Sequence, residues 1–374
     1  FAWLFRLHDA AASEASSLSL HVALPIGRKV MSVVDGNAGV QVEQDVPCGV
    51  LRHSMDAAGM AVEGLGFDQA VCAGGYRWWY VDGFSDCGRF GVTVIAFIGS
   101  VFSPYYYRSR QRARARAEDH VSLNVILYGR GNYRWCMTER GAAAVYQQTD
   151  KLEIGPSQLH LTDSTLDIDV RERATPLGQS VEGRISVSFA QTSNQCFALD
   201  GEERHWWWPI APQATVQVAM NQPELRWKGS AYLDSNAGDG PVESAFNSWN
   251  WCRGHAAHEG CQIHYDAQLR NGGERQVSLR MDDDGCLVRT DTPSVRQLPK
   301  GPIWRVARPA RIDSHAPRSI QTLEDTPFYT RSRIETDTSL FMHESLDLQR
   351  FCKPWVQRLL PFRMPRVTGT RAGG

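Results

Sequence analysis

The sequence predicts a mainly β protein built of two antiparallel barrel or sandwich units. Three observations carry that expectation. Apolar and polar residues alternate with period two over most of the chain after residue 66, as half-buried strands require. Gly- and Asn-rich or Asp-rich turns separate those runs at hairpin spacing, and long amphipathic helices are nearly absent.

The elements follow in order. Residues 74–82 (GGYRWWYVD) place Tyr76, Trp78, Tyr80 and Asp82 on one face and Arg77, Trp79 and Val81 on the other. Residues 89–98 (RFGVTVIAFI) and 120–129 (HVSLNVILYG) are mostly apolar strands. Residues 165–170, 184–189 and 214–220 alternate cleanly. Residues 261–270, the turn Asn271-Gly272-Gly273 and residues 274–281 form a hairpin; a second turn leads into 286–289, making a meander. Pro209, Pro212 and Pro223 punctuate the middle of the chain. The expected division is therefore an N-terminal extension at 1–66, poorly ordered; a β unit at 67–212; a second at 213–360; and a C-terminal tail at 361–374. The N-terminal stretch has weak signal-peptide character and matches no recognisable pattern, and Met31 is an expected start site.

Composition excludes several classes. With 42% hydrophobic and 22% charged residues the chain is globular, and a formal net charge of −1 argues against bulk nucleic-acid binding. Nine cysteines at irregular spacing, without a CxxC pair, suit reduced thiols and a cytoplasmic location. The longest apolar stretch, about 90–102, is too short to span a bilayer. No GxSxG, GxGxxG, P-loop or HExxH occurs. The 12 Trp, 11 Tyr and 14 Phe suit an apolar ligand, a sugar or a membrane interface.

Three segments carry candidate chemistry. In RHWWWPI (204–210), extended backbone puts His205 and Trp207 on one face and Trp206 and Trp208 on the other. In SAYLDSN (230–236), Tyr232 and Asp234 share a face. A carboxyl among aromatics is costly to ionise and becomes a neutral acid. Asp234 capping a turn over 234–238 is an equal alternative. Cys252, His255, His258, Cys261 and His264 recur at constant spacing, but lack the long loop of a structural zinc site. A solvated loop is preferred, and no metal is expected. The basic run at 108–116 and the aromatic-basic segment at 351–366 are either solvated surface or contacts to anionic lipid.

The stretches at 74–106, 119–131, 134–141 (RWCMTERG), 205–212 (HWWWPIAP), 231–236 (AYLDSN), 322–332 (TLEDTPFYTRS) and 355–366 resemble the carotenoid 1,2-hydratases, also called hydroxyneurosporene synthases. The resemblance runs from about Phe67 to Arg366. It implies two lipocalin-like β domains packed together. It also implies cofactor-free addition of water across the terminal C1–C2 double bond of acyclic carotenoids such as neurosporene and lycopene. The family's functional positions fall on His205, Trp207, Tyr232 and Asp234: Asp234 as proton donor, His205 as its partner or the water base, Trp207 and Tyr232 as cation stabilisers. Trp78, Tyr80, Tyr105, Trp249 and Trp251 are candidate substrate contacts. A membrane-held polyene implies peripheral contact with the inner or photosynthetic membrane. Cys87 departs from the family, which more often has an acid there. The competing readings are a non-catalytic carrier of an apolar lipid and a carbohydrate-active protein. The second needs two carboxylates across an open groove.

Overall fold

The computed structural model describes residues 65–368 apart from 114, 257–259, 283–284 and 313–315. The expected extension at 1–66 lies outside the described residues except for its last two. His258 and the final six residues of the expected tail lie outside them as well.

The first sheet contains β1 (Tyr76–Ser85), β2 (Gly91–Ile98), β3 (Val121–Tyr128), β4 (Arg134–Arg140), β5 (Val145–Gln147) and β6 (Lys151–Ile154). It continues with β7 (Ser157–Leu161), β8 (Thr165–Ala174), β9 (Gln179–Ser188), β10 (Phe197–Ala198), β11 (His205–Gln222) and β12 (Leu225–Gly238). Its order is β4-β3-β2-β1-β12-β11-β9-β8-β7-β6-β5, with β10 paired to β11. The second sheet contains β13 (Phe246–Ala256), β14 (Gly260–Leu269), β15 (Glu274–Met281) and β16 (Leu287–Arg289). A short ribbon, β17 (Arg296–Leu298) with β18 (Arg308–Ala310), intervenes before β19 (Ser319–Asp325), β20 (Tyr329–Glu335) and β21 (Ser339–Asp347). The order is β16-β15-β14-β13-β21-β20-β19. The mainly β, antiparallel class expected from the alternation is the one observed.

The first sheet curls until β4 meets β8 and β3 meets β6. It encloses a core of aliphatic side chains, including Val92, Val94, Leu123, Ile168, Val187, Val216 and Leu233. Alternation along β1 sends Trp79 and Val81 into that core and Trp78 and Tyr80 to the opposite face. The opposite face packs on the second sheet and builds a separate, aromatic layer. Helices α1 (Pro104–Gln111), α2 (Val242–Ala245), α3 (Leu348–Phe351) and α4 (Pro354–Leu359) complete the described helical elements, besides short 3-10 turns. No helix among the described residues is long and apolar enough to cross a membrane.

Strand β11 runs unbroken across the 212/213 division expected from the prolines, and the change of sheet falls between Gly238 and Phe246. The prolines are absorbed by irregularities in register: the β11–β12 ladder shifts between Trp208 and Ala211 and again between Ala211 and Ala214. A bulge tolerates the missing proline N–H that a regular central ladder cannot. The structure also places two further segments. The basic run begins inside α1, where Ser103 caps the first turn and Pro104 opens it. Residues 361–368 of the expected tail are tied to β4: Glu139 N donates to Pro365 O at 2.9 Å and Val367 N to Glu139 O at 3.0 Å.

Candidate active site

Neighbouring strands β1, β12 and β11 place their aromatic and acidic residues side by side. Tyr80 lies opposite Asp234, Asp82 opposite Tyr232, and both Trp78 and Trp207 opposite Asn236. Asp234 therefore sits in extended backbone within β12 and caps no turn. Its Oδ2 accepts two hydrogen bonds, from Trp207 Nε1 at 2.9 Å and from the Tyr232 hydroxyl at 2.9 Å. Oδ1 is buried with no partner among the described residues. Burial raises the Asp234 pKa to about 8, although both donors pull it down. At neutral pH the group is mostly an un-ionised acid. With Oδ2 accepting from both donors, the proton belongs on Oδ1.

The second sheet closes the layer. The Trp251 ring lies 5.2 Å from Tyr232 and 5.5 Å from Tyr80, and Tyr265 lies 5.3 Å from Trp207. Trp249 bridges onward to Tyr265 at 6.3 Å and to Trp78 at 6.2 Å. Tyr80, Tyr232 and Trp251 meet edge-to-face or tilted, the arrangements that aromatic pairs prefer.

Asp82 and Glu344 share this layer with Asp234, and the partners of these carboxyls differ. Asp82 is fully buried and bound by Arg253, whose Nε donates to Oδ1 at 2.8 Å. Glu344 Oε1 accepts from Arg331 Nε at 2.8 Å and from the Tyr80 hydroxyl at 2.8 Å. Arg331 also donates to the Tyr128 hydroxyl at 2.6 Å. Both of those acids have a cationic partner, whereas Asp234 has neutral donors alone. A buried acid without a cation beside it is the one that keeps its proton.

The structure brings Trp207, Tyr232, Asp234, Trp78, Tyr80, Trp249 and Trp251 into one layer. His205 is buried on the same face as Trp207, but it does not pair with Asp234. Its Nδ1 hydrogen-bonds the Tyr76 hydroxyl at 3.0 Å, and its ring meets Phe246 at 5.0 Å. The pairing expected between His205 and Asp234 is thus replaced by Tyr76, because His205 lies at the far end of the ladder opposite Gly238. Burial holds the imidazole pKa below its ordinary 6.5. Trp207 and Tyr232, expected only to face a cation, are also the hydrogen-bond donors to the acid. Tyr105 is not in the layer; it lies half-buried on α1, beneath the Arg366 guanidinium at 6.0 Å.

The evenly spaced Cys/His set is divided between two faces. Cys252 lies opposite His264, and His255 opposite Cys261, so neighbouring pairs alternate across the sheet. No group of three or more potential metal ligands occurs among the described residues. Tyr265, Arg253, Glu344 and Arg331 were not singled out from the sequence, and Tyr76 was placed on the Trp78 and Tyr80 face without a role. Arg331 and Tyr76 lay within the matched stretches 322–332 and 74–106.

Over residues 94–373 the sequence matches the family described as Carotenoid hydratase CrtC. It is 46% identical over 308 residues to the acyclic carotenoid 1,2-hydratase of Thiocapsa roseopersicina, covering 81% of this chain and 76% of that protein. The protein of the same name from Rubrivivax gelatinosus is 41% identical, covering 80% and 75% respectively. That from Cereibacter sphaeroides is 36% identical, covering 74% of this chain and 99% of its own. Among solved structures, kievitone hydratase from Nectria haematococca aligns over 76% of this chain and 92% of its own, with 10% identity and a TM-score of 0.47.

Proposed function

The chain belongs to the carotenoid hydratase family, and from that footing we propose that it adds water to the terminal C1–C2 double bond of acyclic carotenoids such as neurosporene and lycopene, with Asp234 as the acid. The observation that carries this reading is the Asp234 carboxyl: buried, held through Oδ2 by two neutral donors, with Oδ1 lacking a partner among the described residues in an aromatic layer.

The chemistry balances on those groups. The C1–C2 π electrons take the proton from Asp234 Oδ1, forming the C2–H bond and leaving a tertiary cation at C1. Rings of Trp207, Tyr232, Trp251 and Tyr265 offer cation–π attraction, worth about 0.5–1 kcal/mol at exposed sites and about 2 kcal/mol or more where water is excluded. The two donors, already aimed at Oδ2, stabilise the new carboxylate without reorganising. Water then adds at C1. Its surplus proton goes to His205, which burial keeps neutral and Tyr76 orients, and transfer through water restores Asp234. No cofactor takes part in these steps. The product is a 1-hydroxy carotenoid, and the substrate's home in the bilayer gives the protein a peripheral place on that membrane.

Two predictions follow from the charge states. Turnover is expected to fall about tenfold per unit as pH rises through about 8, because the neutral form of Asp234 is the reactive one. The acid limb comes below the ordinary imidazole value of 6.5, because burial lowers His205. A pH profile of turnover on detergent-dispersed lycopene measures both limbs; a flat alkaline limb contradicts the assignment. Replacing Trp207 by Phe, or Tyr232 by Phe, removes one donor to the carboxylate. Each is expected to cost roughly 10–100-fold in turnover, the worth of a hydrogen bond to a charged group. Each should also move the alkaline limb to higher pH, since the donors lower the Asp234 pKa. A limb that moves to lower pH rejects this role for the donors.

A further inference from the structure

Seven large hydrophobic side chains are exposed among the described residues, and four of them belong to one surface: Ile303 at 53%, Trp355 at 41%, Leu359 at 37% and Phe362 at 67%. Trp355 on α4 stacks on Trp304 with ring centroids 5.8 Å apart, and Arg350 donates to Trp304 O at 2.9 Å. These contacts join the loop carrying Ile303 to the helix. Leu359 follows Trp355 by one helical turn, and Phe362 follows in the next.

The surface is also basic. Lys300, Arg305, Lys353 and Arg358 are exposed on these two segments, which themselves contain no acid; the Asp325 carboxylate accepts from the Ile303 and Trp304 N–H groups at 2.6 and 3.3 Å. The basic α1 joins it where Tyr107 meets Phe351 at 5.5 Å, adding exposed Arg108 and Arg112. Apolar side chains ringed by Lys and Arg have the composition of a segment that lies in a lipid interface. A second copy of the chain docked face to face would press these like charges together. An anionic headgroup layer supplies the opposite charge.

Beneath the surface the same segment faces the aromatic layer. Val356, Leu360 and Met364 are buried in the cluster that contains Trp207 and Tyr232. Phe351 touches Phe102 at 6.2 Å, Phe102 touches Trp249 at 6.4 Å, and Trp249 leads through Tyr265 to Trp207. A run of rings thus leads from buried Phe351, on the helix just before α4, to the residue that holds Asp234.

We propose that this face docks on an anionic lipid bilayer, with Ile303, Trp355, Leu359 and Phe362 entering the headgroup region and the surrounding Lys and Arg side chains meeting the lipid phosphates. The purpose of the docking rests on the hydratase reading: a polyene passes from bilayer to aromatic layer without crossing water. The docking itself is measured apart from catalysis.

The test is flotation of the purified full chain with phosphatidylglycerol-containing vesicles and with purely phosphatidylcholine vesicles. The wild type is expected to float with the anionic vesicles and to be released by added salt. W355S/F362S is expected to float at least tenfold less while its turnover of detergent-dispersed lycopene stays within twofold. K353Q/R358Q is expected to lose the preference for anionic lipid. Asp234→Asn is expected to float like the wild type and make no product, so a failure of the hydratase assignment leaves flotation standing. Wild-type protein that stays at the bottom of the gradient overturns the docking. So does W355S/F362S floating like wild type, or the pair abolishing a dimer seen by light scattering without any lipid binding.

Discussion

Asp234→Asn is expected to lower carotenoid hydration by at least about a thousandfold while leaving the fold intact. General acid catalysis contributes roughly 10²–10⁴-fold, and here no other acid stands in for it. Asp82 and Glu344, the other carboxyls of the layer, are bound to Arg253 and Arg331. Asn has the same shape as Asp, and its amide oxygen accepts from Trp207 and Tyr232 as the carboxyl does. Circular dichroism and thermal melting should therefore match the wild type, while product analysis shows unchanged substrate. Normal turnover by a well-folded Asp234→Asn enzyme removes Asp234 from the mechanism.

The second large effect is on stability. Arg253→Met should destabilise the protein by about 3–5 kcal/mol, because it leaves the Asp82 carboxylate buried and unpaired. The pair joins β1 of the first sheet to β13 of the second, so its loss weakens the interface that holds the site. Arg253 also lies over the Tyr232 ring at 5.8 Å, and its removal should loosen the phenol that donates to Asp234. Replacing both partners by apolar residues, Asp82→Leu with Arg253→Met, is expected to recover most of the lost stability, since no uncompensated charge remains. Denaturant unfolding of the two variants measures this. A loss below about 1 kcal/mol in the single variant, the worth of an exposed pair, contradicts a buried role.

What could be seen in the sequence was local, and what was hidden was long-range. Period-two alternation placed Tyr232 with Asp234 and His205 with Trp207, because strand geometry fixes faces over a few residues. It also separated Trp207 from Trp208, which the structure sends into different cores. Which strands lie side by side depends on topology. Tyr76 meets His205 across 129 residues, and Arg253 meets Asp82 across 171. No local pattern encodes those meetings, so the Asp82–Arg253 pair and the true partner of His205 had no signal. Pro209 and Pro212 misled in the other direction. They mark bulges inside one strand, and a bulge and a domain boundary look alike in a proline pattern. Tyr105 misled because a tyrosine run beside an apolar strand has no periodic signal that separates a helix turn from a cavity wall.

The most direct test of the account is to incubate the purified protein with lycopene or neurosporene in isotope-labelled water and analyse the carotenoid by mass spectrometry. The account predicts a product heavier by one water, carrying the solvent's oxygen at C1 and one solvent hydrogen at C2. A carotenoid that binds the protein and is recovered unchanged and unlabelled would contradict it and leave a carrier in place of a hydratase.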